Sequence, residues 1–507
     1  MRKKLKVLFI LIKNSKKNIL KCIRYTCFIL GVISFIIFKY WGEYNSGIFA
    51  ILFFVANNLL YCLENTKDRI ILLILHVTIF VFLISRPFIE CISDSQWYIE
   101  YVDKYGLQSF EFAINSIVVS LVAFFGGAIL YEIKNIGTSF SVKKVINNQK
   151  REKYRNIFIK NLQKVALIIF YISFFATMIL EFEKLWFMRG KEYVEYYTSF
   201  VSQAPYIIYV ISTFMRYSLC IFLATMPRKE KCLLPLGAYL LSAVPNLIIG
   251  MRNPIMQNGI FVFVYYFIRH SKEEKWFGKI EKVGIVVGLP LILIFMSVYA
   301  SLRVHASNIS KNFFFLLGSF FYGQGVTFDV LNIGYTCIDQ LPVREFRNYT
   351  FGGIIDYFLH GAIAQKIFGA QALNNVNSIE NALYSNNFSH NMSYIAKGED
   401  YLKGKGWGSS YLLETYVDFG YIGIVIYSFL LAIILLFIVK LIRRNTITGT
   451  ISLLIITQVF FIPRAEATGF LNFLFQAQFW AAIIICYLGA GLCCKKYEFV
   501  KKEHNNV

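Results

Sequence analysis

Two arginines stand in polar breaks too short to be ordinary loops. Arg252 lies in Gly250-Met251-Arg252-Asn253-Pro254, and Arg464 in Pro463-Arg464-Ala465-Glu466. Long apolar runs flank both. An arginine held at such a place suits a phosphate, because it stays charged and its fork matches two phosphate oxygens at once. The alternative is that each guanidinium snorkels to a membrane interface and pairs with a headgroup or a nearby acid. Arg303 is a reserve for the same role, and Arg216, midway along an apolar run, is a further candidate that could instead pair internally. Groups that could take a proton from a hydroxyl are Glu414, Asp418, His390, His360 and His305. Glu414 and Asp418 are four apart and share a face on a helix. They follow the glycine-rich run Gly404-Lys405-Gly406-Trp407-Gly408, whose glycines permit tight turns and close ligand approach. A helix-start acid favoured by the helix dipole is the plainer reading of Glu414. His390 lies just after the polar run Asn374–Ser389, expected as a mobile flap. His360 is four residues from Asp356 in Gly353–Ile367, where apolar residues repeat at helical spacing and suggest an interfacial helix.

The elements that must hold these residues are membrane helices. The chain has 507 residues, 57% hydrophobic and only 16% charged, with a mean hydropathy of +0.53. That much apolar surface does not fit one soluble core. A soluble enzyme, a disordered protein and a disulfide scaffold are thereby excluded. The ten cysteines show no C-x-x-C, so neither a zinc site nor redox chemistry is expected. No cofactor is required by any motif. Twelve apolar blocks are expected to span: Tyr25–Phe38, Gly47–Leu63, Ile70–Ser85, Phe112–Tyr131, Val165–Leu180, Tyr206–Met226, Leu233–Gly250, Ile255–Ile268, Gly284–Leu302, Tyr421–Leu441, Ile451–Pro463 and Phe473–Leu492. The fold class is therefore an all-α polytopic membrane protein of about 12 transmembrane helices. One large external loop would contain amphipathic helices.

The net charge of +22 follows the topology rather than nucleic acid. With the N terminus inside, 35 of the 52 Lys and Arg fall in inner segments. The expected organisation is a basic cytoplasmic segment at 1–24, nine spans within 25–302 and a large extracytoplasmic loop at 303–420. Three more spans follow at 421–492, then a cytoplasmic tail at 493–507. No cleavable signal peptide is expected from the basic start. Within the large loop, the aromatic run Phe313–Phe321 should pack on the membrane surface or re-enter it.

The stretch GKGWGSSYLLETYVDFGYIG at 404–423 resembles the region before a late span in the O-antigen and capsular polysaccharide polymerases, the Wzy family. The G-x-R at Gly250–Arg252 and the arginine at 464 are similar to elements of that family, as is the large external loop in the second half. The resemblance implies a glycosyltransferase of the cytoplasmic membrane. It would join oligosaccharide repeat units carried on undecaprenyl pyrophosphate at the outer leaflet. It implies that Arg252, Arg464 and Arg303 meet the pyrophosphate leaving group, and that Glu414, Asp418, His390 or His360 serves as base. No D-x-D stands in an outer loop, so the sequence requires no metal. Implied partners are the lipid-linked oligosaccharide, the bilayer, a chain-length regulator and the repeat-unit flippase. An O-antigen ligase-like transferase shares these features and differs in acceptor. A polysaccharide flippase or transporter also has about twelve spans, but should show two comparable halves.

Overall fold

The computed structural model describes residues 2–136, 149–191, 195–270, 274–288, 290–291, 293–295, 313–373 and 376–504. Among them there is no strand, and eleven helices are long and apolar enough to cross a membrane. We label the membrane helices α1 (Arg2–Trp41), α2 (Tyr44–Glu64), α3 (Thr66–Ser93), α4 (Leu107–Ile136), α5 (Gln149–Phe187) and α6 (Tyr206–Ala224). They continue as α7 (Lys229–Ile248), α8 (Asn253–Arg269), α9 (Phe314–Thr336), α10 (Tyr411–Leu441), α11 (Thr446–Arg464) and α12 (Ala477–His504). Of these twelve, α8 has 17 residues and falls outside the eleven. The chain is an all-α polytopic membrane protein, as its apolar blocks predict. The predicted span Gly284–Leu302 is described only in part, and Arg303 and His305 lie outside the described residues.

Two packed groups share a seam. α1, α2, α3, α4, α9 and α10 form one group, and α5, α6, α7, α11 and α12 the other. α8 lies between α3 and α11 and joins them. Close approach inside each group relies on small residues, as lipid-embedded helices require. A Cβ on Gly127 of α4 would stand 2.3 Å from the Phe429 carbonyl oxygen of α10. One buried polar cluster is paired within the bundle: Asn58 Nδ2 sits 2.9 Å from His76 Nε2 and 3.0 Å from the Leu121 carbonyl.

Three local departures from regular helix shape one end of this bundle. In α3, residues Phe80–Ile84 widen into a π-turn, with the Ser85 N–H bonded back to the Phe80 carbonyl. Pro87 follows, and its missing N–H removes an ordinary α-helical bond there. In α11, helix gives way to a 3₁₀ turn at Val459–Arg464 that contains Pro463. In α10, Gly420 has φ 64° and ψ −160°, a conformation that favours glycine. The chain folds back there. Tyr411 and Tyr427 stack with ring centroids 5.4 Å apart, whereas an unbroken helix would separate them by about 24 Å. The sequence placed Glu414 and Asp418 just above a span starting at Tyr421. The structure instead lays 411–419 alongside the first turns of that span.

The end of the bundle that carries residues 337–410, called here the loop end, differs from expectation in two further ways. The aromatic run at 313–321 belongs to α9, itself long and apolar enough to cross. It is made of two helices, Phe313–Gln324 and Thr327–Thr336. The second carries Asp329, bonded by Arg86 at 2.5 Å and Tyr101 at 2.9 Å. The single amphipathic helix expected over Gly353–Ile367 is two, Gly352–Leu359 and Ala362–Phe368, broken at His360–Gly361. Ile363, Ile367 and Phe368 are exposed on the second helix, as an interfacial element requires.

Candidate functional site

The glycine-rich run, the Arg464 turn and residues 337–403, the segment that the sequence predicts to be external, converge at the loop end. A Cβ on Gly408 would lie 3.7 Å from the Arg464 carbonyl oxygen. Arg464 is half-buried, and its Nη1 donates to Gln324 Oε1 at 3.1 Å. Its guanidinium stands 5.9 Å from the Phe82 ring centroid, so the π-turn of α3 supports it. Arg252 is half-buried at the start of α8. The far end of α8 is fixed by Tyr265 Oη on the Leu223 carbonyl and by Arg443 Nη2 on the Ile268 carbonyl. A 17-residue helix is about 25 Å long, so Arg252 lies toward the loop end, as Arg464 does.

The two carboxylates singled out by sequence both accept several hydrogen bonds in this geometry. Glu414 is fully buried; its Oε1 accepts from Ser409 Oγ at 2.6 Å and its Oε2 from the Ala467 N–H at 2.6 Å. Asp418 accepts from the Thr350 N–H and Oγ1, both at 2.6 Å, and from the Tyr349 N–H at 3.2 Å. Thr468 Oγ1 then donates to the Thr350 carbonyl at 2.6 Å. Helix 411–419, the external segment and the turn before α12 are thus tied together through groups dozens of residues apart.

The polar run expected as a flap carries two helix caps where it is described. Ser378 caps the helix Ile379–Tyr384, and Asn387 caps Phe388–Lys397. Asp356 accepts from the Asn386 backbone and side-chain nitrogens at 2.8–2.9 Å. Asn387 Nδ2 donates to Glu466 Oε1 at 2.8 Å. Desolvation pushes the carboxyl groups of Asp356 and Glu466 up from the usual range, and Asp356 pushes Glu466 further. Sequence reasoning named Glu466 only as part of the Arg464 stretch and missed its asparagine partners. The Asn386-Asn387 pair, of the residue type that caps helices, was the available signal.

The histidines differ. His360 ends the helix Gly352–Leu359 and its Nδ1 is 2.8 Å from the Gln371 carbonyl. His390 is half-buried, with Nδ1 2.8 Å from Tyr401 Oη. The one hydroxyl hydrogen of Tyr401 serves either the Ser378 carbonyl at 3.3 Å or His390 Nδ1 at 2.8 Å. In the first arrangement His390 Nδ1–H donates to Tyr401 Oη and the lone pair stays on Nε2. Burial holds the imidazole below its ordinary pKa, so it stays neutral near pH 7. Arg216, on α6, faces a cavity of about 450 Å³ between α5, α6 and the start of α12.

A family model described as O-antigen polysaccharide polymerase Wzy matches residues 23–497. The chain belongs to the O-antigen polysaccharide polymerase (Wzy) family. Comparison with curated proteins and with solved structures gives no match. As a Wzy family member, the chain is a multi-pass membrane protein of polysaccharide biosynthesis. Its activity is of polymerase type and its substrate a lipid-linked oligosaccharide. The family match spans both arginine turns, the glycine-rich run and all of the external segment.

Proposed function

We propose that this Wzy-family chain transfers a growing glycan from undecaprenyl pyrophosphate to a fresh lipid-linked repeat unit at the outer leaflet of the cytoplasmic membrane. An acceptor hydroxyl attacks the anomeric carbon of the donor. The bond from that carbon to the diphosphate oxygen breaks, and the diphosphate leaves with the electron pair. Arg464 and Arg252 meet the charge that develops on the diphosphate, with Arg303 as a third cation. The acceptor proton goes to His390 Nε2, which holds the lone pair when Nδ1–H donates to Tyr401. Glu414 and Asp418 hold the glycine-rich run and the external segment over the site. His360 is a reserve proton acceptor. The observation that carries this reading is the convergence of the Arg464 turn, the glycine-rich run and the external segment at one end of the bundle.

The distribution of Lys and Arg supports a cytoplasmic side for both termini. A chain-length regulator and the repeat-unit flippase are the expected partners. Disrupting the gene should leave single repeat units on their lipid carrier at the outer leaflet. Accumulation confined to the inner leaflet would refute the polymerase reading and favour a flippase. Polymerised chains left on the carrier would refute it in favour of a ligase.

A further inference from the structure

The cavity around Arg216 shares no lining residue with the arginine turns. It is lined by Arg216, Tyr209 and Tyr217 of α6, Tyr357 of the external helix Gly352–Leu359, and Gln476 and Gln478 at the start of α12. At about 450 Å³ it falls within the range of roughly 300–1,000 Å³ typical of small-molecule sites. No aspartate or glutamate is among its lining residues, so its one formal charge is positive. The charge comes from a half-buried guanidinium that makes no ion pair among the described residues and sits 5.8 Å from the Tyr217 ring centroid. Tyr217 Oη donates to Gln476 Oε1 at 2.5 Å, which fixes that amide and leaves its NH₂ for a ligand.

This lining has a definite chemistry. Phenol rings stack on the C–H faces of sugars while their hydroxyls hydrogen-bond. Planar amides offer a donor and an acceptor side by side to vicinal hydroxyls. A guanidinium adds a strong, two-pronged contact to a carboxylate or phosphate. An arginine that merely snorkels needs none of these neighbours. Tyr357 is the contribution of the external segment, so the cavity spans the membrane helices and the part of the chain that faces the glycan.

We propose that this cavity is a saccharide subsite that selects an acidic group, a uronate or a sugar phosphate, on the repeat unit. The proposal rests on the polymerase reading for the source of the glycan, but its binding chemistry does not depend on turnover. Arg216 is the residue that sets the charge preference, and Tyr209 and Tyr357 supply surface for the ring.

The test is saturation-transfer NMR on the full chain in phosphatidylcholine nanodiscs, with glucuronic acid, glucose 1-phosphate and glucose as probes. The wild type should bind the two anions roughly 10- to 100-fold more tightly than glucose, the span of one charge-assisted hydrogen bond. Arg216→Gln should bind all three alike, and Arg216→Lys should keep part of the preference. Tyr209 is half-exposed, so Tyr209→Ala leaves the bundle intact. It should weaken all three probes while the preference for anions remains.

Equal binding of glucose by the wild type overturns the proposal. So does a preference that survives in Arg216→Gln, or unchanged affinities in Tyr209→Ala. If added phosphatidylglycerol displaces the anions while glucose never binds, the cavity is a lipid headgroup site and the proposal falls. A wild type that binds the anions selectively yet forms no polymer would refute the polymerase reading and leave the subsite standing. Polymerisation without any anion preference would do the reverse.

Discussion

Glu414 offers the sharpest test of what is brace and what is chemistry at the loop end. Its side chain is fully buried and both oxygens are occupied, at 2.6 Å each, by Ser409 Oγ and the Ala467 N–H. Glu414→Ala would orphan two buried donors. Each costs about 1–3 kcal/mol, so the loss should total about 2–6 kcal/mol, before any cavity left by the missing atoms. Glu414→Gln is different. A glutamine can keep its carbonyl toward the Ala467 N–H and turn its NH₂ to Ser409, whose hydroxyl accepts as readily as it donates. The expected cost is then about 1 kcal/mol, the margin between a charged and a neutral hydrogen bond. Thermal unfolding in nanodiscs and polymer length on gels read the two effects separately. Glu414→Ala should unfold far earlier and make little polymer. Glu414→Gln should unfold near the wild-type temperature and turn over within roughly threefold of it. A Glu414→Gln protein that is as stable as wild type but a hundredfold slower would show that the carboxylate moves a proton, and the bracing argument would fall.

Arg464→Lys and Arg252→Lys keep the charge but lose the fork, so each should lower kcat by roughly 10- to 100-fold in a polymerisation assay; full activity in both alanine variants would remove the pyrophosphate site. The neutral form of His390 is favoured by burial, so its acid limb in a kcat/KM profile should lie below pH 6.5 with a plateau at pH 7. The same group favours the folded state above its unfolded pKa and loses that contribution as pH falls toward the folded value. His390→Gln should abolish the limb together with most of the rate; an unchanged profile would exclude this base. A Cβ on Gly352 would lie 1.9 Å from the Asn386 carbonyl oxygen, so Gly352→Ala should detach the helix Gly352–Leu359 and expose the external segment to limited proteolysis. Val343 is 97% exposed, so Val343→Cys should react with an impermeant maleimide on intact cells; labelling only after lysis would invert the sidedness.

Much of the bundle was legible because membrane helices announce themselves by length and apolarity. The blocks at 47–63, 112–131 and 206–226 fall within or close to α2, α4 and α6. The predicted start of a span at Tyr421 coincides with the break at Gly420, since the polar content changes where the backbone turns. What could not be read is the fold-back itself. It depends on Tyr411 meeting Ser120 of α4 at 2.6 Å, a contact nearly three hundred residues away. The asparagines at 386–387 read as a loose flap because their partners, Asp356 and Glu466, are distant in sequence. Arg464 and Arg252 were visible as charges at span ends. The polar lining around Arg216 was not, because Gln476 and Tyr357 reach it from other elements.

The clasp that Asp418, Thr350 and Thr468 form sets a rule for exchanging parts between relatives. Residues 337–410 look like a cassette that could be grafted to move glycan preference from one enzyme to another. Their anchor points, however, belong to helix 411–419 and to the turn at 465–476. A chimera that swaps the cassette alone would arrive without its fasteners. A productive exchange has to carry all three segments as one unit.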